Sequence, residues 1–352
     1  MSDRLSRLLD ARPWVLADGA TGTNLFAMGL MSGDAPELWN VQHPERIAAL
    51  HRGFIEAGAD IVLTNSFGGT RYRLKLHHAE DRVHELNAAA ARIARTEADA
   101  SGREVVVAGS IGPTGEILEP LGPLSVDAAR DAFAEQATAL AAGGADVLWI
   151  ETMSSKEEVE AAIAGARVTG LPVVSTLSFD TNGRTMMSLT PSELAAIHRT
   201  HGLLACGSNC GVGPSELVAS IVNLATASEP SAVLVAKSNC GLPQYVDGAI
   251  RYDGTPELMG TYACLAYDAG ARIIGGCCGT TPAHLRAMRN ALELHAQGPR
   301  PDADAIETRL GAISNGARAQ LKGLLDRASG ASPNAVARRS TGRRGAARPT
   351  DA

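Results

Sequence analysis

Aromatic residues are scarce in this chain. Phe, Trp and Tyr make up 4% of 352 residues, too few for the stacking platforms on which single-stranded nucleic acids lie. Positive charge is not in excess: the formal net charge is −6, which offers no broad face to a polyanion. Long apolar runs are missing too. No stretch reaches the roughly 18 residues of a membrane span, and the opening MSDRLSRLLDARPW lacks the apolar core of a secretory signal. These absences lead us to expect a cytoplasmic protein with neither nucleic-acid nor membrane partners. Cysteine is sparse as well. In a reducing compartment the six cysteines are read as metal ligands or catalytic thiols before disulfides. No GxGxxG fingerprint follows the first apolar run, which argues against an open dinucleotide-binding sheet.

What is present is a repeated unit. Hydrophobic residues are 45% of the chain, enough for a large core. Eight short runs, rich in β-branched residues, end in Gly, Asn, Ser, Thr or an acid: WVLADG (14–19), DIVLTNSF (60–67), EVVVAGS (104–110), DVLWIET (146–152), PVVSTLSF (172–179), LLACGSNC (203–210), AVLVAKSNC (232–240) and RIIGGCC (272–278). Being apolar on both faces, they read as buried parallel strands. Helical segments lie between most of them. "EAGAD" and "AAGGAD" each close a helix on Gly and open a strand on Asp. "TPSELAAIHRTHG" and "TPAHLRAMRNALELH" start with a Thr cap and Pro at the first helical position. Eight such units predict a (β/α)8 TIM barrel over residues 1–297.

The texture changes after residue 297. Residues 298–327 are expected to form a C-terminal helical arm outside the barrel, with Ile306, Leu310, Ile313, Leu321, Leu324 and Leu325 set among charges. An apolar stripe of this kind needs a surface to pack on. The barrel's outer wall, a second copy of the chain and a methyl-donor protein all qualify, and self-association into a homo-oligomer is the expectation. Residues 328–352, rich in Ala, Gly, Ser, Pro and Arg, read as a disordered basic tail.

In a (β/α)8 barrel the chemistry gathers at the C-terminal ends of the strands. Cys210 ends the sixth run; Cys277 and Cys278 end the eighth. Three thiols from two strand ends can meet across one mouth. Three protein ligands with an open fourth position is the pattern of a catalytic zinc, and thiolates suit that ion. Neighbouring residues on a strand face opposite ways, so both sulfurs can turn inward only if the strand breaks. Gly275, Gly276 and Gly279 are expected to supply the backbone angles. The alternative is that these are ordinary buried thiols, the role assigned here to Cys206 and Cys264. Cys240 ends a strand and either lines the mouth or joins the metal site.

The motifs "LADGATGT", "IVLTNSFGGT", "GSIGPTGE", "WIETM", "SNCGVGP", "SNCGLP" and "GGCCGT", in this order over about residues 12–295, resemble those of the homocysteine S-methyltransferases. That family includes betaine–homocysteine and S-methylmethionine–homocysteine methyltransferases and the homocysteine module of cobalamin-dependent methionine synthase. The resemblance implies a (β/α)8 barrel in which Cys210, Cys277 and Cys278 hold Zn2+. Homocysteine then adds its sulfur as a further ligand and takes a methyl group to give methionine. It places Asp18, Gly19 and Glu151 in the homocysteine site, with Glu151 suited to the substrate ammonium, and Asn239 beside the metal. Where relatives usually have Ala, this chain has Cys240.

The donor implied is betaine or a methylcorrinoid. Betaine enzymes of the vertebrate type carry an aromatic after the second-strand motif and another after the fourth-strand Glu. Here those places read Gly68 or Gly69 and Thr152, and "TNSFGGT" and "IETM" look more like the cobalamin-dependent type. Trp39, Tyr72 and Trp149 are the remaining candidates for an onium cage, although Trp149 lies mid-strand and reads better as core. No DxHxxG motif of a cobalamin-binding domain is present, so a corrinoid would arrive on a separate protein. Readings left open are S-methylmethionine as donor, another small thiol or a selenol as acceptor, and a non-catalytic zinc-binding scaffold.

Overall fold

The computed structural model describes residues 3–324, apart from 181, 247 and 248; the expected basic tail, 328–352, lies outside the described residues, as does Leu325. Eight parallel strands form the centre: β1 (Val15–Leu16), β2 (Ile61–Leu63), β3 (Val106–Ile111), β4 (Val147–Met153), β5 (Val173–Leu177), β6 (Ala205–Cys210), β7 (Leu234–Ser238) and, after the hairpin β8 (Pro243–Val246) and β9 (Ala249–Tyr252), β10 (Ala271–Gly276). Their spatial order is β1-β10-β7-β6-β5-β4-β3-β2. A bridge between Ala17 and Ile61 joins the two end strands, and Asp18 N donates to Ile61 O at 2.9 Å. The sheet is thereby closed into the expected (β/α)8 barrel, and each of the eight predicted runs overlaps one of its strands.

Helices follow the pattern read from the sequence. The one at Pro191–His201 carries a full capping box, Thr190 with Glu193, and the one at Pro282–Leu294 starts from Thr281. They cover the outside of the barrel and bury the larger apolar cluster. A second cluster fills the barrel itself. It includes Leu5, Leu8 and Leu9 from a first helix, Arg4–Ala11, which plugs the end where the strands begin. Below β2, Asp60 accepts from Arg12 (2.7 Å), Arg103 (2.9 Å), Arg289 (3.1 Å) and Leu16 N (3.0 Å).

The arm consists of helices Ala303–Leu310 and Asn315–Leu321. Ile306, Leu310, Ile313 and Leu321 of its apolar stripe lie on the barrel's own outer wall, the arm packing against helices Pro214–Ala227 and Pro256–Ala269, with Ile306, Ile313 and Ala317 buried and Leu324 exposed. Ser215 Oγ donates to Ala312 O at 2.9 Å, and Gln320 Nε2 to Gly183 O at 2.7 Å. Among the described residues no helix is long and apolar enough to cross a membrane.

Candidate active site

Strand pleating decides what the barrel interior contains. Val147, Trp149 and Glu151 share one face of β4. Val106, Ala108 and Ser110 do so on β3, and Val235 and Lys237 on β7; the apolar members of each set belong to the inner cluster. Apolar residues hold the lower and middle levels and polar ones the top. There a cavity of about 1020 Å3 opens, lined by Cys210, Cys277, Cys278, Glu151, Lys237 and Tyr252 among others.

The three predicted thiols meet: their sulfurs lie within 4.8 Å of one another, with Cys210 and Cys278 4.0 Å apart. Two different backbone devices achieve this. Asn209 and Cys210 would face opposite ways on a regular strand, but Cys210 has φ 61°, and this left-handed turn brings its thiol round to the mouth. On the other side β10 stops at Gly276. Cys277 N donates to Ser238 O (2.6 Å), Thr280 N returns to Cys277 O (3.1 Å), and Gly279 has φ 81°. Gly279 therefore meets the expectation of an unusual backbone angle. Gly275 and Gly276 do not take left-handed angles; they are small because the chain is crowded. A Cβ would come within 2.9 Å of Ala17 O at the first and 2.3 Å of Thr280 Cγ2 at the second.

Asn239 ties the two devices together. Its Oδ1 accepts from Cys278 N (3.0 Å) and its Nδ2 donates to Gly211 O (2.6 Å). Cys240 stands apart from the cluster: its buried thiol donates to Gly254 O at 3.2 Å, anchoring the base of the β8–β9 hairpin. Cys206 and Cys264 are buried in the packing around the barrel. The clustered thiols compete for charge. Hydrogen bonds from Cys210 and Cys277 pull Cys278 down to about 3. Cys277 gains from Cys210 but loses more to Cys278 and to burial, ending at about 12. A thiophilic divalent cation would relieve this competition by letting all three ionise, so the donor set fits a zinc ion.

Glu151 sits on an irregular stretch of β4. The register with β5 shifts between Ile150 and Met153, and Thr152 has φ 62°. Asn209 holds that shape, accepting from Thr152 N (2.9 Å) and donating to Thr152 Oγ1 (2.7 Å). The Glu151 carboxylate takes a hydrogen bond from Ser110 Oγ. Burial pushes its pKa up to about 7, against the pull of the Lys237 ammonium. Gly19 lines the cavity too, where a Cβ would meet the Phe54 ring at 2.6 Å. Asp18 is brought to the same strand ends but lies behind the wall. Its Oδ1 accepts from Lys237 Nζ at 2.6 Å and its Oδ2 from Leu63 N at 2.7 Å. Burial alone would lower the pKa of Lys237; Asp18 and Glu151 outweigh it and raise the ammonium pKa.

The outer wall of the cavity differs from the expected cage. Trp149 is fully buried beneath Lys237, Trp39 packs against His43 and Arg46, and neither these nor Tyr72 lines the cavity. Its aromatic surfaces are Phe26, Phe67 and Tyr252, with Glu37, Arg73 and His77 on the same lining. An aromatic at residue 69 has no room, since a Cβ would lie 2.2 Å from Asn87 Oδ1, and at residue 68 a Cβ would already crowd Glu37 Oε1 at 3.0 Å. Sequence reasoning missed Lys237, Asn209, Ser110 and Tyr252. For the first three a signal existed, since each is a polar residue at an inward position of an otherwise apolar run. Tyr252 had none, because it depends on the hairpin that follows β7.

The sequence pattern of the homocysteine S-methyltransferase family matches residues 15–292. The methionine synthase of Mycobacterium tuberculosis is 32% identical over 295 residues, and that of Mycobacterium leprae 31%; each alignment takes in 79% of this chain and 24% of the relative. The chain thus spans about a quarter of the length of these curated relatives. Among solved structures, the homocysteine methyltransferase MmuM of Escherichia coli superposes in an oxidized form with a TM-score of 0.69 and in a metallated form with 0.68. Both are 26% identical and cover 82% of this chain and 99% of theirs. A methyltransferase from Methanosarcina mazei, 16% identical with a TM-score of 0.53, shares the fold. With the family pattern running from the first barrel strand to the last barrel helix, the chain belongs to the homocysteine S-methyltransferase family.

Proposed function

We propose that the protein is a zinc-dependent homocysteine S-methyltransferase that makes methionine with betaine or a methylcorrinoid as donor. One observation carries the reading: three clustered thiols and a buried carboxylate, Glu151, face the same cavity. Cys210, Cys277 and Cys278 would hold the ion, and Asn239 keeps their two turns in register. When bound, zinc supplies the positive charge that keeps the homocysteine sulfur a thiolate at neutral pH. Glu151 accepts the substrate ammonium. Gly19 lets the chain pack against Phe54 where it lines the cavity, and Asp18 supports this wall from behind. The thiolate lone pair forms the new S–CH3 bond, and the donor keeps the electrons of the bond that breaks, so no general base is needed on the donor side.

The half-exposed faces of Phe26 and Phe67, with Tyr252 and Glu37, suit an onium methyl group, which favours betaine. The test is methionine formation by zinc-loaded protein from homocysteine with betaine, methylcobalamin or S-methylmethionine. Turnover with betaine supports the reading as stated. Turnover with methylcobalamin alone moves the donor to a corrinoid carrier. Turnover with S-methylmethionine alone, or only with another thiol or selenol, corrects the substrate. Zinc binding without turnover of any of them leaves a scaffold.

A further inference from the structure

Lys237 has no part in the proposed chemistry, yet it is 2% exposed in the barrel interior and lies on the cavity wall. A buried lysine is costly unless its charge is met, so its placement needs a reason. It points inward from β7, paired with Asn209 on β6 and Gly275 on β10. Its partner Asp18 follows β1, and β10 stands between β7 and β1. Lys237 spans that intervening strand at the level where β10 carries Gly275, so no side chain blocks the path. The ammonium reaches Asp18 Oδ1 at 2.6 Å, approaches Asp18 O at 3.4 Å, and rests 5.8 Å from the centre of the Trp149 ring.

Asp18 is itself a junction. Leu63 N of β2 donates to its Oδ2 (2.7 Å), and Gly276 N of β10 donates to its O (3.0 Å), one residue before Cys277. The ends of β1, β2, β7 and β10 therefore meet at one residue, and Lys237 neutralises it. Both Asp18 oxygens are engaged, which leaves Glu151 as the buried carboxylate that the barrel strands present to the cavity, Glu37 lying on its outer wall.

We propose that Lys237 is a positioning residue: through its ion pair with Asp18, passing over Gly275, it fixes the cavity floor so that the Cys277 turn and the Glu151 wall keep the spacing that the acceptor amino acid needs. This rests on the proposed function, in that homocysteine is taken as the acceptor. It makes the cation specific to position 237 and, beside its direct pull on the Glu151 carboxylate, lets it act on the site through Asp18.

The experiment is a double-mutant cycle on zinc-loaded protein with Lys237→Met, Asp18→Asn and the double variant. It reads homocysteine Kd by calorimetry, zinc loss to a chelator, and KM against kcat. Lys237→Met strands a buried carboxylate, and we expect homocysteine Kd to rise about tenfold or more and zinc to leave faster. KM should rise with it while kcat stays within about threefold. The double variant removes both charges, and its Kd should recover toward wild type by a strong coupling between the two sites. Additive effects, or Lys237→Met with wild-type Kd and zinc retention, overturn the proposal. If Lys237→Met fails to fold, the comparison of Asp18→Asn with the double variant carries the cycle: the proposal requires the double to bind homocysteine better than Asp18→Asn, and equal or weaker binding overturns it. A wild type that binds homocysteine but transfers no methyl group refutes the functional reading while leaving this cycle readable. A wild type without homocysteine affinity overturns both.

Discussion

Two buried aspartates mark the two ends of the barrel. Asp60, where β2 begins, is 0% exposed and gathers three arginines and Leu16 N. Asp18, where β1 ends, is 2% exposed and has one lysine and Leu63 N. The first is a knot of surplus cation reaching in from the surface, with the N-terminal helix and apolar side chains packed around it. The second has just enough charge to be neutral and borders an open cavity with thiols and a second acid. One end is built to hold and the other to react, in keeping with the division between stability and catalytic faces in barrels of this type. Changes at the two ends should therefore separate cleanly.

The largest effect is expected at the thiols. Cys277→Ala or Cys278→Ala should lower zinc affinity by at least about a hundredfold and abolish methyl transfer, while circular dichroism stays that of a folded barrel. The core clusters do not depend on the rim. Metal analysis decides; full zinc content in both variants would remove the thiols from the metal site.

Next is Glu151. Its folded pKa of about 7 lies above the ordinary 4.5, so the group takes up a proton as pH falls through 7, and the ionised form needed for an ammonium is lost below that value. Homocysteine binding should weaken on the acid side with this proton added to the one the substrate thiol releases. Glu151→Gln should raise Kd by roughly ten- to a hundredfold at pH 8 and make the fall of log Kd with rising pH less steep by about one unit of slope below pH 7. An unchanged slope would show that Glu151 does not meet the ammonium. Zinc content should not change.

The same two ends explain what the sequence discloses. The strands were legible because a parallel strand buried on both faces is a dense local signal, and Val147 to Ile150 or Val105 to Ala108 can hardly be anything else. The cysteines were legible because two of them are adjacent and bracketed by glycines. Lys237 and Asp18 were not legible as a pair: 219 residues separate them, and their meeting depends on strand order and on Gly275 lying between. The Asp60 knot was hidden for the same reason, its arginines coming from residues 12, 103 and 289. Phe26 and Phe67 were passed over in favour of Trp39 and Tyr72 because the first sits on a short helix, Gly22–Ala27, and the second on a loop, and neither is long enough to show a periodicity.

Asp60→Asn sharpens the comparison from the stable end. Three arginines lose their shared anion, and we expect a loss of about 3 kcal/mol in urea unfolding with homocysteine Kd and zinc content within about twofold of wild type. A large change in Kd would mean that the two ends are coupled along the barrel.

The smallest effect on the site should come from the arm. Most of its stripe is spent on the barrel wall, since Ile306 and Ile313 are buried there, against helices that flank β7, while Leu324 is exposed. The contacts it makes toward the strand ends reach Asn182 and Gly183 in the loop after β5, and that loop does not line the cavity. Ile306→Ala removes a buried aliphatic side chain and should cost about 2–4 kcal/mol. Truncation after Gln297 uncovers the whole stripe and should lower the melting temperature further and reduce soluble yield. Because the arm touches the wall and not the mouth, zinc content and homocysteine Kd should hold in both, and light scattering of Ile306→Ala should give the wild-type mass. A change of mass would mean that the stripe also serves a second copy. Loss of zinc in a protein that remains folded would mean that the wall behind β7 transmits to Lys237 and the thiols, and the separation of the two ends would then have to extend around the barrel as well as along it.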